Sequence, residues 1–101
     1  MKKPKAAQED IDEKLAKYGA LTKAALEKAK PFKALSEKER QMAANLLEMA
    51  KSYFSDAQHF ESNGLNLTAL AAYSYAHAWI DAGVRLGLLD GMGDGRLFVL
   101  P

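Results

Sequence analysis

Apolar residues recur at three- and four-residue intervals along most of this chain, a pattern that predicts amphipathic helices. The first helix is predicted over about residues 6–30. Pro31 must end it, because the residue before a proline disfavours the helical conformation. The apolar stripe of this helix is narrow and consists of Ile11, Leu15, Tyr18, Ala25 and Ala29.

A second helix is predicted over residues 36–62. Ser36 followed by Glu39 forms a capping box at its start, and Asn63-Gly64 stops it with the residues best suited to a left-handed cap. We expect a buried stripe on this helix that leaves the opposite side in solvent. The stripe consists of Met42, Leu46, Met49, Tyr53 and Phe60, and is broadened by Leu47 and Phe54.

The third helix is predicted over residues 66–87, with Asn66 as its N-cap. It is apolar on almost every side, since Tyr75, Trp79 and Leu86 lie opposite the stripe that contains His77. Such a helix must be buried on more than one side. We therefore predict an all-α fold with this helix at its centre, a small antiparallel bundle of three main helices that forms a single domain over residues 1–101.

Residues 88–101, the tail, are predicted to be short and extended. Glycines between Asp90 and Gly95 prevent the third helix from continuing, and the segment that follows, Arg96 to Leu100, is apolar. An extended apolar segment left in solvent would be an unprotected edge strand. We expect the tail to fold back onto the side of the third helix that carries Trp79, and a homodimer to cover the apolar surface that remains.

Composition limits the classes of protein that this chain can belong to. It has 101 residues, of which 49% are hydrophobic and 27% charged, which is ordinary for a globular domain. No apolar run reaches the ~18 residues of a membrane span, and the first residues lack the apolar core of a secretory signal, so we expect a cytoplasmic protein. The chain has no cysteine, which excludes disulfides, thiolate zinc sites, iron–sulfur clusters and cysteine nucleophiles.

The charge is asymmetric along the chain. Up to Lys51 there are twelve Lys or Arg against eight Asp or Glu, and from Ser52 onward there are two against five, which gives +4 and −3 and the formal total of +1. The basic residues of the first half alternate with acidic ones, as they do on a mixed solvated surface. The pattern therefore does not favour nucleic-acid binding through these lysines.

One family shares the motifs of the second half. The residues Tyr53, Asp56-Ala57, Phe60, Gly64 and Ala69 are followed by Tyr75-Ala76-His77-Ala78-Trp79-Ile80-Asp81-Ala82 and by Arg85 and Gly87. This pattern resembles the archaeal family named domain of unknown function 357, which consists of short all-helical proteins. The resemblance covers the second and third helices and implies a small helical bundle. It implies no function, since that family has no assigned activity.

Two histidines and two aspartates suggest a metal site, which the expected geometry opposes. Asp56 and His59 lie on one face of the second helix, and His77 and Asp81 on one face of the third. In an antiparallel hairpin that turns at Gly64, facing residues have numbers that add to about 129, so His59 and His77 are roughly 10 Å apart along the axis. We therefore predict no metal site and no cofactor, and we expect Asp56 to bond the hydroxyl of Tyr73 instead.

His77 and Asp81 have the chemistry of a general base and the residue that orients it. A nucleophile site is missing, because Ser74 lies within a helix and has neither a strained turn nor free backbone amides beside it. We predict no catalytic residue and expect His77 to be largely buried, with a ring nitrogen bonded to Asp81 or to the second helix. Arg85 is expected to pair with Asp81 or Glu48, or alternatively to anchor an anionic ligand or partner.

These observations favour a non-catalytic interaction or self-association module that forms a homodimer or binds another protein. The alternative is a helical bundle that binds a small molecule or a metal, with enzymatic activity as one form of it, centred on His77, Asp81, Tyr73 and Asp56. The residues expected to contact a ligand or a partner are Asp56, Tyr73, His77, Trp79, Asp81 and Arg85.

Overall fold

Three helices account for most of residues 9–101, the part of the chain that the computed structural model describes. They are α1 (Ile11–Lys28), α2 (Glu37–Ser62) and α3 (Asn66–Arg85), and two short strands, β1 (Lys30–Pro31) and β2 (Leu89–Asp90), accompany them. The predicted all-α bundle of three helices is confirmed, and the small sheet adds to it. Residues 6–8, the expected start of the first helix, lie outside the described residues.

A capping box and a left-handed glycine fix the two ends of α2, as predicted. The hydroxyl of Ser36 accepts from the backbone N–H of Glu39 at 3.2 Å, and the Glu39 carboxylate accepts from the backbone N–H of Ser36 at 2.9 Å. Gly64 adopts a left-handed conformation with φ 75°, and the backbone N–H of Leu65 reaches the carbonyl of Phe60 at 2.9 Å. This arrangement satisfies carbonyls that the helix end would otherwise leave without donors.

The prediction for the cap of α3 is wrong. Leu65 holds the N-cap position without a side-chain hydrogen bond, and Asn66 is the first helical residue. The Asn66 amide instead donates to the Asp12 carboxylate of α1 at 2.8 Å. The Asn66 side chain thus ties the hairpin to the start of α1, a contact that local sequence spacing does not indicate.

α3 lies at the centre of the bundle, as its composition predicts. Both other helices pack against it along much of their length, whereas α1 and α2 touch each other little. Ile80 is fully buried and Val84 nearly so. Within residues 9–101, none of the helices combines the length and the apolar character needed to cross a lipid bilayer.

Small residues form the contact between α2 and α3, which we call the small-residue seam. Every seventh residue on each helix is alanine or glycine and is buried: Ala43, Ala50 and Ala57 on α2, and Ala69, Ala76 and Gly83 on α3. This corrects the predicted stripe of α2, because Met42 is 45% exposed and Met49 is 36% exposed. Small side chains let the two backbones approach closely, so the contact is centred on the alanines and the larger residues flank it.

A two-stranded sheet joins the connection after α1 to the segment after α3. β1 and β2 are antiparallel, with Lys30 opposite Asp90 and Pro31 opposite Leu89. The first helix therefore ends at Lys28, two residues earlier than predicted, because Lys30 already belongs to the strand. Leu89 is fully buried and fills the space beside Gly83.

The tail folds back onto the bundle, as predicted, but its extended part is β2 and not Arg96–Leu100. After β2 the chain turns, and the Asp94 carboxylate accepts from the backbone N–H groups of Arg96 and Leu97 at 3.0 and 3.2 Å. Lys28 of α1 donates to the same carboxylate at 2.9 Å and lowers the pKa of Asp94. Leu97 and Phe98 are consequently buried, at 6% and 3% exposure.

Substitution of Gly83 by alanine tests the close packing at the seam. A Cβ there would lie 2.5 Å from Cδ1 and 2.7 Å from Cγ of Leu89, so the buried leucine must move. We expect Gly83→Ala to lower the free energy of unfolding by about 1–3 kcal/mol, despite the better helix propensity of alanine. Gly95→Ala is the control and should leave the free energy of unfolding nearly unchanged, since a Cβ there meets only Leu100 Cδ1 at 3.6 Å, an ordinary contact distance. Equal urea midpoints for the two variants would contradict the packing.

Candidate functional site

Five of the six predicted site residues lie on α3, on different sides of the helix, and Asp56 lies on α2. His77, Asp81 and Arg85 follow one another at one-turn intervals on the side that faces α1 and the tail. Trp79 lies on the side that faces α2, where Tyr75 also packs, and Asp56 is beside that surface. The structure therefore does not bring the predicted His77, Asp81, Tyr73 and Asp56 centre together.

His77 joins α1, α3 and the tail. One ring nitrogen, Nδ1, is 3.2 Å from the hydroxyl of Thr22, and the other, Nε2, bonds the backbone carbonyl of Leu97. The side chain is 18% exposed, so the expected burial with a bonded ring nitrogen is confirmed. The expected partners are wrong, because Asp81 is 3.9 Å from Nε2, beyond hydrogen-bond distance, and the bonds go to α1 and the tail.

Thr22 is the residue of this site that the sequence pattern missed. It is fully buried at the centre of α1, where apolar spacing alone assigns no role to a threonine. Its hydroxyl lies 3.3 Å from the carbonyl of Tyr73 and 3.2 Å from His77 Nδ1. Since the Leu97 carbonyl requires a proton on Nε2, Nδ1 of a neutral His77 can only accept a hydrogen bond, and it competes with the Tyr73 carbonyl for the single hydroxyl proton of Thr22. One sequence signal could have identified Thr22 as a core position: it lies seven residues from each of Leu15 and Ala29, which are both buried.

Asp81 and Arg85 continue the attachment of the tail. The Asp81 carboxylate accepts from the backbone N–H of Val99 at 3.0 Å, and Arg85 donates to the carbonyl of Leu100 at 2.7 Å. The expected pairing of Arg85 with Asp81 or Glu48 is wrong. In the part of the chain that the structure describes, no neighbouring strand pairs the backbone N–H and carbonyl groups of this part of the tail. These groups form hydrogen bonds with polar side chains of α3 instead. We call His77, Asp81 and Arg85 the tail clamp.

A cavity of about 360 Å³ lies between α1, α3 and the tail. Tyr18 of α1, Ser74 of α3 and the tail clamp residues His77 and Asp81 contribute to its walls. Both ring nitrogens of His77 are occupied, and within the described chain Ser74 forms no hydrogen bond with it. The arrangement supplies a polar wall for a small ligand, and it does not supply an activated nucleophile.

Tyr73 bonds Glu61 and not Asp56, which corrects the predicted contact. The phenol donates to Glu61 Oε1 at 2.8 Å while Phe54 packs on its ring with centroids 5.4 Å apart. Side chains of a helix lean towards its N-terminus, so the hydroxyl of Tyr73 reaches a residue closer to the hairpin turn than the one level with its Cα. Burial and the bond to Glu61 raise the pKa of Tyr73 to about 12.

The two histidines lie on separate parts of the molecule. His59 is at the exposed end of α2, where its ring lies 3.2 Å from the amide of Asn63. Among residues 9–101, no three His, Cys, Asp or Glu side chains cluster as metal ligands.

A partly exposed apolar surface covers the α2–α3 hairpin on the side away from α1. We call it the outer face. Tyr53 and Tyr75 meet edge to face with centroids 4.5 Å apart, and Tyr75 and Trp79 do so at 6.1 Å. The tail does not cover this surface, contrary to expectation, because it packs on the tail clamp. The members of the outer face are Met42, Met49, Tyr53, Tyr75, Trp79 and Leu86.

The outer face follows the predicted register of the hairpin. Tyr53 contacts Tyr75, and Leu46 lies beside Gly83, so facing residues have numbers that add to about 129. The same register places Met49 level with Trp79 and Met42 level with Leu86. Tyr75 is 50% exposed and Leu86 is 70% exposed. Trp79 Nε1 is buried and has no acceptor among the described residues.

The hydrogen bond between Tyr73 and Glu61 can be tested by measuring the free energy of unfolding of variants. Tyr73→Phe should lower the free energy of unfolding by roughly 1 kcal/mol at pH 7, while Asp56→Asn leaves it unchanged. The difference between parent and Tyr73→Phe should shrink from pH 10 to 12, because the unfolded tyrosine ionises first and the folded one retains its proton. Urea unfolding at several pH values measures both effects. A loss of stability in Asp56→Asn that disappears when Tyr73 is already replaced by phenylalanine would restore the predicted contact.

Two neighbouring residues test the docking of the tail. Phe98→Ala should lower the free energy of unfolding by about 3 kcal/mol, because a nearly buried ring leaves a cavity. Val99→Ala, which changes a side chain that is 55% exposed, should shift it by less than about 0.5 kcal/mol. Thermal or urea unfolding compares the two variants. Similar small effects from both would show that the tail is not part of the core in solution.

Comparison with known proteins adds one match. The family model described as "Protein of unknown function (DUF357)" matches residues 17–89, which include most of α1 and all of α2, α3 and the sheet region up to Leu89. A search of curated proteins found no match, and a search of solved structures also found none. The match spans well over half of the chain and bears out the resemblance seen in the second and third helices. This protein belongs to the DUF357 family.

Proposed function

We propose that this protein is a non-catalytic interaction module of the cytoplasm that binds a protein surface through the outer face. The observation that carries the proposal is the exposure of aromatic and sulfur-containing side chains on one side of a hairpin. Single exposed apolar residues are ordinary on a protein surface, whereas a contiguous group is typical of an interaction site. Here each helix contributes three apolar residues at matching levels. Met42, Met49, Tyr75 and Leu86 are exposed, and Tyr53 and Trp79 are half-buried between them.

The composition of the outer face supports protein binding. Tyrosine, tryptophan and methionine are enriched in protein interfaces, while lysine and glutamate are depleted at interface centres. Met42 and Met49 have flexible side chains that adapt to the shape of a partner. The aromatic ring of Tyr75 is supported by edge-to-face contacts with Tyr53 and Trp79. Such a ring is already ordered before a partner arrives, which reduces the entropy lost on binding.

Small-molecule binding in the cavity beside the tail clamp is the second candidate function. Its volume of about 360 Å³ lies at the lower end of ligand pockets, and His77 and Asp81 lie on its wall. A ligand that bonded either side chain would have to compete with the backbone of Leu97 or Val99. Native mass spectrometry of the purified protein distinguishes this candidate, since it would retain a ligand that the variant Asp81→Asn releases.

Photo-crosslinking in living cells tests the outer face. A benzoylphenylalanine in place of Leu86 should form discrete adducts, because its 70% exposed position faces the bound partner. The same probe in place of Leu67, which is 65% exposed at the hairpin end, is the matched control and should form none. Met49→Glu should reduce the adducts at position 86 by tenfold or more. Absence of adducts at position 86, or equal adducts at both positions, would contradict the proposal.

A further inference from the structure

We propose that the occupant of the outer face is a second copy of this chain, related by a two-fold axis that crosses α2 near residue 47 and α3 at Ala82. The inference rests on the proposed function and names its partner. In this arrangement α2 lies antiparallel on α2 of the second copy, and the last two turns of α3, residues 79–85, lie antiparallel on the same turns of the other α3. Each residue of one copy then faces the residue of the other copy that lies equally far from the axis in the opposite direction along the helix.

Two opposite charges stand at the two ends of the outer face on α2. Lys38 and Asp56 are eighteen residues apart, which is five helical turns and about 27 Å, so both point to the same side of the helix. Both are exposed, and neither belongs to an ion pair among residues 9–101. An antiparallel α2–α2 contact centred midway between them brings each Lys38 opposite an Asp56 of the other copy, twice over.

The size of the side chains on α3 agrees with that axis independently. The register of the hairpin places residue 47 of α2 level with Ala82 of α3. Ala82 is exposed and small, so two copies of α3 can approach closely where the axis crosses them. On either side, the exposed Leu86 opposes Ala78 of the second copy, and on α2 Met42 opposes Ser52. At these two positions on each helix large residues meet small ones, as packed helices require.

The charge pattern favours a copy of this chain over an unrelated partner. The outer face has an apolar centre with one positive and one negative end, so it is complementary to itself when reversed. A uniformly acidic or basic partner would meet repulsion at one end. The face measures about 27 Å by 20 Å, taking roughly 10 Å for the width of each helix. This is small for a specific interface, and we expect a dimer that dissociates on dilution.

Single cysteines test the position of the axis, because the natural chain has none. Ala82→Cys should form a disulfide-linked dimer on mild oxidation with diamide, since the two Cα atoms at the axis lie within disulfide distance. Ala71→Cys, an exposed alanine of the same helix far from the axis, is the matched control and should remain monomeric in a denaturing gel. Equal crosslinking of the two variants, or none for Ala82→Cys, would overturn the geometry.

Charge reversal tests the contact without covalent chemistry. In sedimentation velocity of the full chain, Lys38→Glu should weaken dimerisation by about tenfold or more, because two attractive pairs become repulsive. The double variant Lys38→Glu/Asp56→Lys should restore the parent affinity. Lys51→Glu makes the same charge change on another side of α2 and should have no effect. A dimer that is indifferent to Lys38, or a monomer at all concentrations, would overturn the inference.

The two proposals fail separately. If the purified chain is monomeric but the probe at position 86 still forms adducts with a different protein in cells, the outer face is an interaction surface and the second copy is wrong. If the purified chain dimerises while the double variant and the Ala82→Cys variant behave as expected, both proposals stand. If the dimer forms but position 86 gives no adducts, the dimer uses another surface and both proposals fall.

Discussion

The close approach of α2 and α3 along the small-residue seam governs the arrangement of the rest of the molecule. Alanine and glycine at every seventh position let the two backbones come together, so no large side chain fits between them. The large residues of α2 must then lie on one flank or the other. Leu47 and Phe54 flank the seam on the side of α1 and the tail and contribute to the core. Met42 and Met49 flank it on the opposite side and remain partly exposed. The small-residue seam thus accounts both for the large residues of α2 that enter the hydrophobic core and for those that form the outer face.

The polar residues of α3 have a structural role that their resemblance to catalytic groups conceals. His77, Asp81 and Arg85 each bind a backbone group of the tail, and the tail in turn inserts Leu97 and Phe98 into the core. A chain segment without regular structure leaves its backbone donors and acceptors unpaired, and burying it requires side chains that satisfy them. A histidine with both ring nitrogens engaged and an aspartate that accepts from a backbone N–H meet that requirement. These contacts lie on a different side of α3 from the outer face.

Local signals in the sequence predicted the helices well. The capping box at Ser36 and Glu39, the left-handed turn at Gly64 and the stop before Pro31 all act within a few residues, so their effect is readable without knowledge of the fold. The register of the hairpin also followed, because a short turn between antiparallel helices fixes which residues face each other. The centre of the α2 stripe was wrong by one residue, since periodicity counts large apolar residues and does not recognise that small ones allow the closest contact.

The site was less accessible to sequence reasoning because its contacts join distant segments. Thr22 and His77 are 55 residues apart, and no spacing rule relates them. The partner of Tyr73 was missed for a geometric reason, since the reach of a long side chain displaces its hydroxyl along the helix towards Glu61. The tail was expected on the wrong side of α3 because apolar pattern alone does not reveal that polar residues on the other side would hold its backbone.

The distance along the chain between α1 and its partners also determines the order in which the fold can assemble. Lys28 meets Asp94 across 66 residues, and Thr22 meets the backbone of Tyr73 across 51. The N-terminal part of a chain emerges first during synthesis. α1 therefore leaves the ribosome before any of the surfaces on which it packs, whereas α2 and α3 are adjacent and form a contact of short loop closure. The short loop favours formation of the α2–α3 hairpin, and α1 can pack only after that hairpin and the tail have formed the surface that it contacts.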